Sequence, residues 1–219
     1  MPPSPAAPTQ IEAEPTVFVI DDDADLRAAT DGLLRSLGLR VETYASTEAF
    51  EAAGRLDAPG CLLLDVRLRG RSGLSFLAAL RAGGRETPVI VTSAHVDVPM
   101  AVQAMKDGAS DVLPKPVRAP DLIEAVNRAL AADARRREAR RGLDALARAH
   151  ASLTAREREV MALVVAGASN RAAAAALELA EATVKAHRAA AMRKMGARSL
   201  AELVEAAHRL RSRRPDPAP

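Results

Sequence analysis

The sequence is poor in aromatic residues and holds a single cysteine. Its 219 residues include no tryptophan, one tyrosine and three phenylalanines. Because Cys61 is alone, an internal disulfide is excluded. No apolar run approaches the roughly 20 residues needed to cross a bilayer, and the N-terminus lacks the basic start and apolar core of a secretory signal. We therefore expect a soluble, cytoplasmic chain with no membrane partner.

Charge is distributed unevenly along the chain. Residues 1–117 contain 11 Lys and Arg against 16 Asp and Glu, a net charge of −5, whereas residues 118–219 contain 20 against 12, a net charge of +8. The asymmetry suggests one module that handles metal or phosphoryl chemistry and another that meets a polyanion. With 48% hydrophobic residues, the chain is long enough for two domains of ordinary size.

Residues 16–131 alternate between short apolar runs and longer segments of helical period. Apolar runs without alternation are typical of parallel strands that helices cover on both faces. The pattern therefore predicts a doubly wound α/β fold with a five-stranded parallel sheet. The Pro-rich residues 1–15 carry no motif and are expected to form a disordered tail. The predicted strands are 17–20, 41–44, 61–64, 88–93 and 111–113, and the predicted helices are 24–37, 47–54, 74–82, 98–106 and one from about 120.

Polar residues stand at the ends of four of the five runs. In parallel sheets, ligands bind beyond the carboxyl ends of the strands, so these residues are expected to share one pocket. Gathered carboxylates repel one another unless a hard cation lies among them, which favours Mg²⁺. A carboxylate can also attack phosphorus while a lysine and a hydroxyl neutralise the phosphoryl oxygens. The alternative is that the acidic run only caps a helix N-terminus. The residues are Asp21, Asp22 and Asp23 after the first run, Asp65 after the third, Ser93 at the end of the fourth and Lys115 after the fifth.

Four motifs resemble the receiver domain of bacterial two-component response regulators. They are VIDDD (19–23), LLLDVRLRGRSG (62–73), VTSA (91–94) and Lys115-Pro116, and the resemblance covers residues 16–131. It implies a flavodoxin-like fold in which a sensor histidine kinase phosphorylates Asp65. It further implies that Ser93 and Lys115 grip the phosphoryl group. The implied Mg²⁺ ligands are Asp22, Asp65 and the backbone carbonyl of Arg67, with Asp21 acting through water.

Two positions depart from the receiver pattern. Many receivers have a proline four residues after the phosphoacceptor, where this chain has Arg69, and this bears on the rigidity of the loop. Many also have Tyr or Phe three residues before the lysine, where this chain has Val112. A small β-branched side chain cannot make the same ring rotation. We therefore expect coupling to rely on the loop and helix around residues 95–105.

Beyond Lys115 the pattern is helical. A helical linker is predicted over residues 132–151, where the basic stretch 135–141 is read as a solvated helix face and Leu143, Leu146 and Leu153 offer a short dimer seam. A small all-α domain follows over 152–211, and residues 212–219 are expected to be a disordered tail. Thr154 and Glu157 have capping-box spacing. The remaining predicted helices are 170–177, 182–195 and 199–210.

Residues 169–196 fit a helix-turn-helix that places its second helix in the major groove. If Val184, Ala191, Met192 and Met195 form the buried stripe, the opposite face is polar and small enough to approach DNA. His187 has a second interpretation as a packed core histidine. The predicted DNA contacts are Asn170, Arg171, Thr183, Lys185, Ala186, His187, Arg188, Ala189, Arg193 and Lys194.

The segments LTAREREVMALVVAGASN and ATVKAHRAAAMRKMGARSLAELV resemble the LuxR-type helix-turn-helix domain over residues 152–208. A receiver followed by this domain is the order of the NarL/FixJ class. Two departures are Ala173, where a larger apolar residue is usual, and Ala180, where a Ser frequently caps the recognition helix.

The combined resemblance implies a transcriptional regulator that phosphorylation controls. Its expected partners are a sensor histidine kinase, double-stranded promoter DNA, RNA polymerase and a second copy that docks through residues 98–107, 111–113 and 120–131. It would not be an enzyme, apart from self-phosphorylation from a donor and slow self-dephosphorylation. Two alternatives are a haloacid-dehalogenase-type phosphatase, with Asp21 as nucleophile and Asp23 as acid, and a constitutive DNA-binding protein whose receiver is only a scaffold.

Overall fold

The computed structural model describes residues 14–212, so the predicted tails at 1–15 and 212–219 lie almost wholly outside the described residues. The chain divides into two compact units between Arg136 and Arg137. The first unit alternates strands and helices, and the second is helical. The elements are β1 (Thr16–Ile20), α1 (Ala24–Ser36), β2 (Arg40–Tyr44), α2 (Thr47–Ala52), β3 (Gly60–Asp65), α3 (Gly73–Ala82), β4 (Val89–Ser93), α4 (Val98–Lys106), β5 (Asp111–Pro114), α5 (Ala119–Ala151), α6 (Ala155–Val165), α7 (Asn170–Leu177), α8 (Glu181–Met195) and α9 (Leu200–Ser212).

The five strands form one parallel sheet in the order β2-β1-β3-β4-β5. The three central strands are buried along their whole length, and the edge strands β2 and β5 are partly exposed. This confirms the doubly wound α/β prediction, and the predicted elements differ from the observed ones by only one or two residues at each end. Ile20 pairs with Leu64, and Asp65 pairs with Thr92, so the ends of β1, β3 and β4 lie side by side.

The side chains of successive residues in each central strand point to opposite faces of the sheet. Val17 and Val19 pack with residues of α1 and α5, whereas Phe18 and Ile20 pack with residues of α2, α3 and α4. All three phenylalanines of the chain lie in this second layer, where the ring centroids of Phe18 and Phe50 are 5.5 Å apart. The few aromatic residues are therefore concentrated in one half of the core.

Helix α5 continues without a break through the predicted boundary after residue 131. Asp133 is 2% exposed and accepts a hydrogen bond of 2.9 Å from the backbone N–H of Gly60, at the start of β3. Arg136 pairs with the same carboxylate. The helix is thus attached to the sheet up to this point. None of the helices within residues 14–212 combines the length and the apolarity needed to span a bilayer.

The second unit is built around α6 to α9. The hydroxyl of Thr154 accepts from the N–H of Glu157, and the Glu157 carboxylate accepts from the N–H of Thr154, which confirms the predicted capping box. The predicted dimer seam is wrong for two of its leucines. Leu153 is 4% exposed, and Leu146 packs against the same core cluster, so both are used inside the unit.

Candidate functional site

The carboxyl ends of β1, β3 and β4 bring three predicted pocket residues together. Asp21 follows β1, Asp65 ends β3 and Ser93 ends β4, and all three are buried. Carboxylate oxygens of Asp21, Asp22 and Asp65 lie within 4.8 Å of one another. This donor set of clustered carboxylate oxygens is the kind that suits a hard divalent cation.

Lys115 supplies positive charge between the carboxylates. Its Nζ lies 2.8 Å from Oδ2 of Asp21 and 2.8 Å from Oδ2 of Asp65. Burial by itself would lower the pKa of Lys115, but the hydrogen bonds to the two carboxylates outweigh it, so the pKa is raised. The lysine is therefore charged at neutral pH. Its backbone N–H donates to the carbonyl of Ser93 at 2.7 Å, which fixes the loop after β5 beside β4.

Local hydrogen bonds hold the acidic side chains in place. The N–H of Asp23 donates to Oδ1 of Asp21 at 2.9 Å, and Nη1 of Arg27 donates to the backbone carbonyl of Asp21 at 2.6 Å. The backbone N–H of Arg67 donates to Oδ1 of Asp65 at 3.3 Å. Asp23 itself caps α1, because its carboxylate accepts from the N–H groups of Asp25 and Leu26. The helix-cap interpretation is thus correct for Asp23, whereas Asp22 belongs to the carboxylate cluster.

The Ser93 hydroxyl is engaged with its own loop. It donates to the carbonyl of His95 at 3.0 Å and accepts from the N–H of His95 at 3.2 Å. The ring of His95 accepts from Nη2 of Arg67 at 2.7 Å, since an arginine can only donate. The loops after β3 and β4 are therefore joined by a side-chain contact.

Two basic side chains near the pocket were not predicted as site residues. Arg69, treated in the sequence only as a replacement for proline, places Nε 3.3 Å from Oδ2 of Asp22. Arg27 holds the Asp21 carbonyl, as above. The sequence signal for both is proximity along the chain, since Arg69 is four residues from Asp65 and Arg27 six from Asp21.

The residues of the predicted dimer face expose apolar surface. On α4, Val98 is 76% exposed, Val102 46% and Met105 50%. A shallow groove of about 500 Å³ lies beside them, lined by Ala101, Val102, Met105, Lys106, Asp111 and Val112. Val112 is half-buried on β5, and its small side chain forms part of the groove wall.

The predicted face of α8 is exposed. Val184, Ala191 and Met195 are buried and Met192 is partly buried, whereas the opposite face is open. The exposed residues on that face are Thr183, Lys185, Ala186, Ala189 and Arg193. Lys185 also pairs with Glu181 one turn earlier, at 3.4 Å.

The other predicted DNA contacts are placed differently. Nη1 of Arg188 donates to Oδ1 of Asn170 at 3.1 Å, which joins α8 to the start of α7, and Arg171 is exposed beside it. His187 is half-buried on the flank of α8. Nζ of Lys194 lies 2.6 Å from Oε2 of Glu157 and 3.1 Å from the carbonyl of Ser152. Lys194 therefore supports the start of α6, and its role as a DNA contact stays a prediction.

Two protein-family profiles match the chain. The response regulator receiver domain matches residues 17–127, and the luxR family of bacterial regulatory proteins matches residues 151–207. Together they account for most of the sequence and for both compact units.

Relatives match across nearly the full length. Nodulation protein W of Bradyrhizobium diazoefficiens is 42% identical over 90% of this chain and 86% of its own. The transcriptional regulatory protein FixJ of Azorhizobium caulinodans is 41% identical over 87% of this chain and 90% of its own. Among solved structures, the response regulator StyR aligns with a TM-score of 0.81 at 42% identity, over 90% of this chain and 99% of that one.

Proposed function

Because the chain belongs to the response regulators that join a receiver domain to a LuxR-family DNA-binding domain, we propose that Asp65 is its phosphoacceptor and that a sensor histidine kinase is the donor. The phosphorylated form would dimerise and bind promoter DNA, with RNA polymerase as a further partner. A phosphorylation-controlled transcription regulator of this kind is not a classical enzyme. The contact that carries the proposal is Lys115 between Asp21 and Asp65.

Asp65 is suited to nucleophilic attack because its carboxylate is held and its charge is balanced. An Asp65 oxygen would form a bond to phosphorus while the bond from phosphorus to the kinase histidine breaks. Lys115, 2.8 Å from the attacking carboxylate, would then lie against the transferred oxygens. At this position it would neutralise charge that grows during transfer.

The carboxylate cluster fits a magnesium ion. Asp22 and Asp65, with the backbone carbonyl of Arg67, would hold Mg²⁺, and Asp21 would act through water. Carboxylate oxygens of these three residues lie within 4.8 Å of one another. When bound, Mg²⁺ supplies charge neutralisation on the phosphoryl oxygens. Lys115 would keep Asp21 and Asp65 from repelling each other when the ion is absent.

Ser93 is proposed to report the state of Asp65. Its hydroxyl now donates to the carbonyl of His95, and a hydroxyl has only one hydrogen to donate. If it turned to a phosphoryl oxygen, it would release that carbonyl and loosen the loop that leads into α4. Because α4 carries the exposed Val98, Val102 and Met105, this movement would alter the proposed dimer face directly. Such a route needs no aromatic ring at Val112.

DNA binding is assigned to the exposed face of α8. Lys185 and Arg193 would contact phosphates or guanine, and Ala186 and Ala189 would lie against thymine methyl groups. Thr183, His187 and Arg188 would flank the groove. Asn170 and Arg171 at the start of α7 would contact the backbone, since a helix N-terminus favours phosphate.

The proposal is tested by sedimentation of the full chain with Mg²⁺, with and without a small-molecule phosphodonor. We expect the donor to raise the dimer fraction of the wild type and to leave Asp65→Asn monomeric. A second variant, Met105→Glu, keeps Asp65 but places a charge on the dimer face, so it should accept phosphate and still fail to dimerise. A dimer that forms equally in all three proteins would favour the scaffold interpretation instead.

A further inference from the structure

Arg69 reaches from the loop after β3 to the carboxylate cluster. Its side chain is 92% exposed, but its Nε lies 3.3 Å from Oδ2 of Asp22, whose side chain is 24% exposed. The loop, residues 66–72, is closed by a hydrogen bond of 2.9 Å from the N–H of Gly73 to the carbonyl of Val66. Because the loop is short and closed, Arg69 stays within reach of the pocket.

The contact completes the charge balance of the cluster. Nζ of Lys115 forms ion pairs with Asp21 and Asp65, at 2.8 Å from an oxygen of each, and Arg69 forms an ion pair with Asp22. Each of the three carboxylates therefore has a cation from the chain itself. A divalent ion that binds Asp22 must share this carboxylate with the Arg69 guanidinium or displace it, and the two positive charges repel each other in either case.

We propose that Arg69 is an internal competitor for the metal ion, a positioning residue that holds Asp22 until Mg²⁺ displaces it. This inference rests on the proposed function, in which the pocket binds Mg²⁺. Arg69 lowers the affinity of the pocket for Mg²⁺. Metal binding would in turn weaken the contact between the loop after β3 and Asp22. The proline found at this position in many receivers has no charge and would leave Asp22 free.

The effect is measurable but moderate. Exposed ion pairs change an equilibrium by about two- to fivefold, so removal of the Arg69 charge should tighten Mg²⁺ binding by that factor. Screening weakens pairs of exposed charges, hence the difference should shrink at about 0.5 M salt. A lysine at this position keeps the charge and should keep most of the competition.

The same loop offers a matched control. Arg71 carries the same charge two residues away, but its Nη1 lies 3.5 Å from Glu51, which is outside the cluster. Arg71→Gln therefore changes the net charge near the pocket as Arg69→Gln does, without freeing Asp22. A general effect of charge would tighten Mg²⁺ binding equally in both variants.

The experiment is a calorimetric titration of Mg²⁺ into the full chain at low ionic strength, without phosphodonor. We expect Arg69→Gln to bind Mg²⁺ two- to fivefold more tightly than the wild type, and Arg69→Lys and Arg71→Gln to bind with near wild-type affinity. An unchanged Mg²⁺ affinity of Arg69→Gln, or an equal gain of affinity in Arg71→Gln, would overturn the role of Arg69. Neither result would contradict the proposed function. If the wild type binds no Mg²⁺, or binds it equally well after Asp22→Asn, the proposed metal site itself fails.

Discussion

At the scale of single residues, Lys115 is the charge that lets two buried carboxylates lie together. Its Nζ is the shared partner of Asp21 and Asp65, and all three side chains are at most 15% exposed. Lys115→Met keeps the length of the side chain and removes the charge. Breaking a buried ion network in this way is strongly destabilising, and the partial exposure reduces the expected loss of unfolding free energy to about 2 kcal/mol.

Urea denaturation of the full chain measures this loss. Added Mg²⁺ should restore part of it, because the ion replaces the missing positive charge among the same carboxylates. A matched exposed substitution, Lys106→Met, should change the unfolding free energy little. Equal stability of Lys115→Met and Lys106→Met would contradict the role of Lys115.

Cys61 provides a prediction on pH. Burial in the sheet, with a smaller contribution from Asp133, raises the pKa of its thiol from 9.0 to about 12. The folded state therefore keeps the proton in a range where the unfolded state loses it. The buried thiol therefore makes its full contribution to stability below pH 9. This contribution is lost as the pH rises towards 12, by about 1 kcal/mol per pH unit.

The comparison of wild type with Cys61→Val isolates this effect. All other ionisable groups are common to both proteins, so only the difference in unfolding free energy between them is diagnostic. We expect the wild type to lose stability relative to the variant from pH 9 upward. A difference that is independent of pH would show that the buried thiol ionises normally.

Sequence reasoning found the pocket residues that follow strands, and it missed the long side chains that reach in from a loop or from α1. Asp21, Asp65, Ser93 and Lys115 could be predicted together because the order of parallel strands fixes where their ends meet. The contact of Arg69 with Asp22 could not, since it depends on the path of a loop and on a long, rotatable side chain. The contact of His95 with Arg67 was missed for the same reason.

At the scale of elements, α8 begins without a side-chain cap. Its N-cap is Ala180, which has an extended backbone and no side chain that can accept from the first turn. Ala180→Ser should supply that acceptor and raise the unfolding free energy of the second unit by about 1 kcal/mol. Denaturation, monitored by hydrogen exchange of the α8 amides, measures this change in unfolding free energy.

A serine in the middle of the same helix is the control. Ala189 is exposed, and Ala189→Ser should leave stability equal or slightly lower because serine favours caps over helix interiors. The capping explanation fails if both variants gain or lose the same amount.

Elements were predicted well because each strand is a short, uniformly apolar run and each helix has a clear period. The length of α5 was harder to foresee. Asp133 accepts a hydrogen bond from the start of β3, 73 residues earlier in the chain. No local sequence pattern predicts a buried carboxylate in a segment rich in Ala and Arg. The domain boundaries at 131 and 151 therefore stay predictions.

At the scale of the whole molecule, the charge asymmetry of the sequence has a consequence for DNA binding. The half that carries α8 has a net charge of +8, and phosphate contacts by Lys and Arg release counterions. Binding to a random-sequence duplex should weaken as salt rises, and Lys185→Ala or Arg193→Ala should each reduce the slope of log affinity against log salt by about 1.

Fluorescence anisotropy of the labelled duplex at several salt concentrations gives these slopes. Arg55→Ala removes an exposed arginine that pairs with Glu42 in the first unit and should leave the slope unchanged. If all three variants lower the slope equally, binding reflects net charge and not the exposed face of α8.

The proposed function depends on transfer of a phosphoryl group to Asp65. The most direct measurement is the intact mass of the full chain after incubation with Mg²⁺ and a small-molecule phosphodonor, beside Asp65→Asn. We predict a gain of one phosphoryl group in the wild type and none in the variant. A gain in both proteins would place the phosphoryl group elsewhere, and no gain in the wild type, even with a sensor kinase as donor, would contradict phosphorylation at Asp65.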